Sequence, residues 1–357
     1  MPEDLTNTLR AARPTILVGG QEKSELAAGL SNLLIVEDTT GLYRCEAKFS
    51  NWGTVDNKIN FLYFDRQTLD FGKDFQVKLG DDSLFNGKIM GLEANYPDGQ
   101  APEISVLAED RFQDLRMTRR TRSFEEVKDS DVFNQIANDH GLSPSVNVTG
   151  PKYKVLAQVN QSDLAFMRER ARAIDAEVWM DGSTLYAKTR SSRDGGTVKM
   201  TRGNQLREFR VLADLAQQRT SVSVNGWDVS SKSGLQYEAT ESVISSELNG
   251  DSSGVSILQS ALGGRKEALV HTVPLNSEEA QYEAESFFKM CARRFLVGRG
   301  VAETNANLRV GAKVDLQNLG PLFNGKYYVV GVSHRFDSVK GLRTEFRAER
   351  PGIGQSN

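Results

Sequence analysis

Two distant stretches of this chain carry the same short string. Leu84-Phe85-Asn86-Gly87-Lys88 returns as Leu322-Phe323-Asn324-Gly325-Lys326. The neighbourhoods repeat with it. Upstream, Gly72 to Leu79 (GKDFQVKL) faces Gly311 to Leu316 (GAKVDL). Downstream, Ile104 to Glu109 (ISVLAE) faces Leu342 to Glu349 (LRTEFRAE), with a residue or two of slippage. Each copy reads as strand, polar glycine-containing turn, strand, turn, strand. The chain is therefore expected to hold a duplicated β-domain, and two similar modules suit a subunit that fills two quasi-equivalent positions in a ring.

At 357 residues the chain exceeds one ordinary core, so two or three domains are expected. The net charge of −3 argues against nonspecific DNA binding as the main task, because a phosphate backbone rewards a basic footprint. Cys45 and Cys291 sit in unrelated segments without metal-ligand spacing and read as small buried residues. The opening MPEDLTNTLR lacks the basic-then-apolar pattern of a signal peptide, and no apolar run reaches membrane-spanning length. Synthesis and folding in the cytosol are expected.

Residues 1–13 read as a polar lead-in. Short β-like runs broken by Gly, Asp and Asn then dominate 14–118, the pattern of a barrel or sandwich. The region 119–190 reads as a small α+β insertion. Ser130 is the expected N-cap of its first helix and Gly141 the C′ residue, a second helix starts at Ser162, and Asp181-Gly182 marks a hairpin. The second β-domain spans 191–350. It includes a Ser/Gly-rich stretch at 229–266, read as an extended excursion ordered against a neighbour, and a helix over 277–297 that begins after Asn276 with Glu279 at the capping-box position. Residues 351–357 form a tail. The fold class expected is α+β, mainly β, with two similar β-domains and an α+β insertion between them.

Chemistry is hard to find in the sequence. His140, His271 and His334 have no metal-type spacing to one another or to a cysteine, and His334 reads as a structural histidine on a strand. Gly263-Gly264-Arg265-Lys266 lacks the preceding strand and the following Ser/Thr of a phosphate loop. No catalytic, metal or cofactor residue is assigned. The basic run Arg116 to Arg122, with Arg119, Arg120 and Arg122, reads as a solvated linker or as a match for an acidic patch on a neighbouring subunit. Trp227, followed by Asp228, ends a strand and is either a buried tryptophan or an interface anchor.

Three stretches resemble a known family. Gln161-Ser162-Asp163-Leu164-Ala165-Phe166-Met167 is similar to its Glu/Gln-Ser-Asp-x-x-Phe-Leu helix start, and Val222 to Asp228 (VSVNGWD) to its V-x-V-x-G-W-D strand end. The closing run resembles its G-x-Y-x-V…H-x-F…G-x-x-T-x-F pattern, through Gly325-Lys326-Tyr327-Tyr328-Val329, His334-Arg335-Phe336 and Gly341 to Phe346. The family is that of contractile-tail baseplate hub proteins, the late-control D family, related to the hub half of type VI secretion spike proteins.

The resemblance implies two tube-type β-barrels per chain and a homotrimer, so that six similar modules make a ring. Three-fold symmetry would face a trimeric spike and pseudo-six-fold symmetry a hexameric tail tube or its initiator, among other baseplate proteins. DNA or an effector would pass through the lumen without specific binding. The expected history is assembly in the host bacterial cytoplasm, then residence in the virion tail baseplate. Because the sequence stops soon after the second module, the spike is expected to be a separate protein. A hub of a type VI-like or extracellular contractile injection system is the nearest alternative. Readings from other classes are a tail-associated cell-wall hydrolase, for which no acid–base or metal constellation is recognisable, and a carbohydrate- or receptor-binding β-protein, which needs no internal repeat.

Overall fold

Tight turns cut residues 15–109 into strands whose alternate side chains enter one core. The computed structural model describes residues 13–228, 231–270 and 273–354. All but the last residue of the expected lead-in, residues 355–357 of the tail, and His271 lie outside the described residues. The first module comprises β1 (Thr15–Val18), β2 (Gln21–Glu22), α1 (Ser24–Gly29), β3 (Leu30–Asp38), β4 (Arg44–Ser50), β5 (Trp52–Val55), β6 (Lys58–Phe61), β7 (Asp74–Leu79), β8 (Asp82–Asn95) and β9 (Glu103–Glu109). Except for the separate β5–β6 hairpin, its strands join in the order β3-β4-β9-β8-β7-β1-β2. Ile16, Ile35, Phe49, Phe75, Val77, Ile89 and Val106 are buried between them.

An α+β unit follows: α2 (Phe112–Arg116), β10 (Arg119–Val127), α3 (Asp129–Asp139), β11 (Ser143–Asn147), β12 (Tyr153–Ser162), α4 (Asp163–Ala173), β13 (Ala176–Asp181) and β14 (Thr184–Thr189). Helix α3 starts one residue before Ser130. The Asp131 carboxylate accepts the Lys128 backbone N–H, so the first turn is capped from inside. Gly141, at φ +62°, continues the chain past the end of α3. Ser162 caps α4 by accepting the Ala165 N–H.

The chain returns to the sheet with β15 (Thr197–Thr201) and β16 (Leu206–Ala213). It then leaves for a second inserted unit: β17 (Ser221–Asp228), β18 (Ser233–Thr240), a 3-10 turn (Glu241–Ile244), α5 (Ser245–Leu248), β19 (Ser252–Ser253), α6 (Gly254–Leu262), β20 (Lys266–Leu269) and α7 (Ser277–Arg293). Residues 229 and 230 of the expected excursion 229–266 lie outside the described residues, and 231–266 are folded within the chain rather than extended against a neighbour. β17 pairs with β18 and β20, and Val222, Val224, Ala239 and Ile244 share a core with Ala280, Ala284 and Phe288 of α7. Asn276 and Glu279 cap α7 reciprocally, Asn276 Oδ1 accepting the Glu279 N–H and the Glu279 carboxylate accepting the Leu275 N–H. The helix stops at Arg293, so Phe295 and Gly298 belong to the turn and strand that follow.

The second module closes with β21 (Leu296–Glu303), β22 (Lys313–Gln317), β23 (Gly325–Asp337), β24 (Gly341–Arg350) and β25 (Gly352–Ile353). The first module's ladder from β3 to β8 is repeated by β16, β21, β24 and β23, although the outer strand differs, β15 running parallel to β22 where β1 runs antiparallel to β7. Lys88 opposes Glu109 as Tyr328 opposes Glu349, and Ile89 opposes Ala108 as Val329 opposes Ala348. Both ladders then slip, between Ile89 and Gly91 and between Val329 and Gly331. A second slip recurs between Leu30 and Asn32 of β3 and between Leu206 and Glu208 of β16. β-bulges are specific features rather than accidents, so their return at matching places identifies a duplication. Gly72 and Gly311, both at positive φ, donate to the carbonyls of Ile89 and Val329, which donate back to Lys73 and Ala312.

The repeated string is two residues out of step with this structural repeat. In the first copy it lies inside β8, where Leu84 and Phe85 are buried; the turn is at Gly80-Asp81 instead. In the second copy Leu322, Phe323 and Asn324 form the turn before β23. The flanking match of Gly72 to Gly311 is in register and marks the true correspondence.

The fold is α+β and mainly β, and both modules belong to one 13-stranded sheet. Strand β23 joins them: its first half pairs with β22 and its second half with β3. Among the described residues the strand order does not close on itself.

Candidate assembly surfaces

The β3–β23 joint shows how one module receives another. Gly331 to Asp337 run antiparallel to Asp38 to Asn32, placing His334 opposite Ile35 and Phe336 opposite Leu33. Phe336 and Leu342 are second-module residues that complete the first module's core. Beside them Glu37 is buried, forms an ion pair with Arg309 and accepts the Val310 N–H at 3.3 Å. Burial raises the Glu37 pKa, which the Arg309 charge opposes. His334 is fully buried, its Nδ1 2.9 Å from Thr344 Oγ1, and desolvation pushes its pKa down to about 3. It is a neutral strut of the joint, in keeping with the structural role read from the sequence.

Among the described residues the counterparts of these two edges lie open. Past Gly91, β8 pairs only with β9, and β16, apart from a single bridge between Arg202 and Leu206 at its start, pairs only with β21. Apolar side chains are exposed along both: Leu212 (60%) on β16, and Tyr96 (63%) immediately after β8. Phe71 is 55% exposed, although its structural equivalent, Val310, is 3% exposed at the internal joint. Tyr96 likewise corresponds to Phe336, which is 2% exposed. Trp52, Phe61 and Phe64 extend this apolar area: Phe61 stacks on Phe64 at 4.9 Å, and Tyr96 meets both edge-on.

The solvent-facing side of the sheet runs unbroken across both modules. One row reads Glu208, Val301, Glu345, Ser333, Val36, Arg44, Glu109, Lys88; another reads Arg210, Arg299, Arg347, Gly331, Asp38. The first row mixes acidic and basic side chains, whereas the second sets Arg210, Arg299 and Arg347 side by side before Asp38. Taken together the two rows carry both signs, so the face as a whole is of mixed charge.

The arginines expected at an interface sit on β10 and are engaged within the chain. Arg122 donates to Asp139 at 2.7 Å and to Asp163 at 2.8 Å, and Arg120 lies 3.1 Å from Asp163. Arg119 donates to the Asn160 carbonyl at 3.0 Å. His140 Nε2 also reaches Asp163, at 2.8 Å. Although burial pushes the other way, hydrogen bonds from His140 and Gln158, with the charges of Arg122 and Arg120, hold the Asp163 carboxyl below the usual range. The segment is therefore a strand clamped onto the N-terminus of α4 rather than a solvated linker. Trp227 lies apart, on β17, and is 53% exposed; Asp228 accepts the Ser231 N–H at 3.2 Å. The structure brings Arg120 and Arg122 together and leaves Trp227 and Asp228 on another unit.

Sequence reasoning missed Leu212, Tyr96 and Phe71. The available signal was Arg210-Val211-Leu212, a strand with apolar residues directed to both faces, and the alignment of Phe71 and Tyr96 with buried partners in the second copy. Among the described residues no group of three or more His, Cys, Asp or Glu is arranged to hold a metal, and no helix is long and apolar enough to cross a membrane.

The same fold occurs in solved tail proteins. The prophage MuSo2 43 kDa tail protein from Shewanella oneidensis superimposes with a TM-score of 0.70 at 12% identity, covering 95% of this chain and 98% of that one. The tail protein from Neisseria meningitidis MC58 gives 0.68 at 13% identity, over 96% and 97%. The E. coli c3393 protein, described as a component of the type VI secretion system with similarity to T4 tail proteins, gives 0.55 at 11% identity, over 92% and 76%. No curated protein matches the sequence. A family model, described as the Alg8 N-terminal domain, matches residues 51–338. Since that match takes in most of both β-modules and both inserted units, the chain belongs to the Alg8 N-terminal domain family.

Proposed function

We propose that this chain is a structural baseplate hub of a contractile phage tail, of the late-control D type. It acts as a homotrimer whose six modules give pseudo-six-fold symmetry, joining a hexameric tail tube to a trimeric spike protein. The observation that carries this reading is the duplication itself. Two modules with matching bulges are joined edge to edge, and among the described residues the same two kinds of edge stay open at the ends of the pair. Open, apolar edges call for a partner strand, and a head-to-tail arrangement that closes gives a ring. Each module is read as a tube-type barrel unit completed in that ring, and the fold shared with phage tail proteins supports the setting.

In this reading the mixed-charge face of the sheet lines the lumen, and DNA or an effector slides past without being held. The hub folds in the bacterial cytoplasm and then becomes part of the tail. Trp227 and Asp228 supply contacts to other baseplate components, and Arg119, Arg120 and Arg122 shape the insertion unit that presents them. The fold shared with the type VI component favours one second reading, a hub of a type VI-like or extracellular injection system with the same ring and a protein cargo.

Native mass spectrometry of the full chain, alone and with its spike partner, tests the proposal. A trimer in either sample is expected. A chain that stays monomeric in both overturns it.

A further inference from the structure

We infer that the joint between two copies repeats the joint inside one copy, residue for residue: β16 of one copy pairs antiparallel with β8 of the next, from Gly91 to the strand's end. This rests on the ring proposed above and supplies its contact.

The correspondence comes from the ladders. Ile35 opposes Cys45 as Val211 opposes Gly298, and Cys45 opposes Ala108 as Gly298 opposes Ala348. β16 is therefore the second-module version of β3, and β8 is the first-module version of β23. Transferring the observed β3–β23 pairs puts Leu212 opposite Glu93, Arg210 opposite Asn95, and Phe209 opposite Tyr96. Their templates are Val36 with Ser333, Leu34 with Arg335, and Leu33 with Phe336.

The side chains fit the transfer. Phe336 enters the first module's core beside Leu33; Tyr96, exposed in one copy, would enter the second module's core beside Phe209 of its neighbour. Phe71 would be covered where Val310 is covered now. Leu212 would lie on the sheet face as Val36 does, flanked on both sides instead of one. The salt bridge is not transferred: Glu37 and Arg309 correspond to Ala213 and Asp70, so the joint between copies lacks the buried ion pair of the joint within a copy. Such a joint is held by backbone pairing and apolar contact, with weak dependence on salt.

Engineered disulfides test the register. The full chain carrying Glu93→Cys and Leu212→Cys is oxidised and run without reductant. The chain carrying Val36→Cys and Ser333→Cys is the internal standard, because that pair is opposed within one molecule. A covalent ladder from the first, at a yield comparable to the internal bond of the second, is expected. Glu93→Cys with Arg210→Cys, displaced by one rung on the same face, should link poorly. A native multimer that links better in the displaced pair, or in neither while the internal standard links, overturns this joint and leaves the ring standing. A chain that never associates removes both. Leu212→Asp gives an independent reading: it should lower the multimer fraction about tenfold at fixed concentration, with the melting temperature unchanged. Full assembly by that variant also overturns the joint.

Discussion

Gly300 has no side chain because two phenylalanines occupy the space. A Cβ there would come within 2.4 Å of the Phe346 ring and 3.2 Å of Phe209, rings that stack 6.2 Å apart. The matching rung of the first module holds the buried Ala47 between Leu33 and Val106, so both layers are large–small–large, and the middle residue shrinks to glycine where the flanking residues grow to phenylalanine. Gly300→Ala should cost about 1–3 kcal/mol through overpacking, seen as a lower melting temperature. Adding Phe346→Val, the first module's solution, should recover part of that loss. Asp110 is a second informative residue. It is buried, accepts the backbone N–H of Tyr43 at 2.8 Å and of Phe112 at 2.9 Å, and desolvation lifts its pKa to about 7. The folded chain keeps this proton after the unfolded chain has lost it near the ordinary carboxyl value of 3.8, so its contribution falls as pH rises from there to about 7. His334 acts in the opposite direction: its stabilising neutral form is fully favoured above 6.5, and that contribution is lost as pH falls towards about 3. Unfolding free energy measured against pH should therefore lose its Asp110 decline in Asp110→Asn, while the acid-side loss from His334 remains.

Secondary-structure elements were legible where local chemistry decides them. Caps at Ser162, Asn276 and Glu279 and the turn at Gly182 are short-range features, and the chain folds as they indicate. Glycines constrain in the same way: Gly72 and Gly311 hold equivalent turns, and the alignment through them is in register. Elements whose partners are distant were not legible. Arg122 meets Asp163, 41 residues along, so its neighbourhood reads as a free basic run. The β17–β18 hairpin has a Ser/Gly-rich sequence and gains its core from α7, which comes later in the chain. The string Leu84 to Lys88 misled because identity of residues does not guarantee identity of register, and a shift of register alters which side chains are buried. Asp163 is where the α4 element is secured. Asp163→Asn would leave Arg120, Arg122 and His140 facing a neutral amide, at an expected cost of about 3 kcal/mol in denaturant unfolding.

At the scale of the molecule, the duplication was readable, and the free edges followed only from the structure, since pairing partners of strands leave no local mark. The first module runs from β3 to β4 directly, whereas the second places its inserted unit between β16 and β21, the corresponding connection. Added mass is thus carried on a hairpin end, where it does not interrupt the ladder that both copies share. The fusion of the two modules through β3 and β23 has a further result for mass action. In the ring proposed above, half of the contacts between modules would already be made when a chain folds, at the high effective concentration of a tethered pair. Closing that ring would then take a meeting of three bodies instead of six, so the dilution at which it falls apart would be far lower than for six separate modules of equal contact strength.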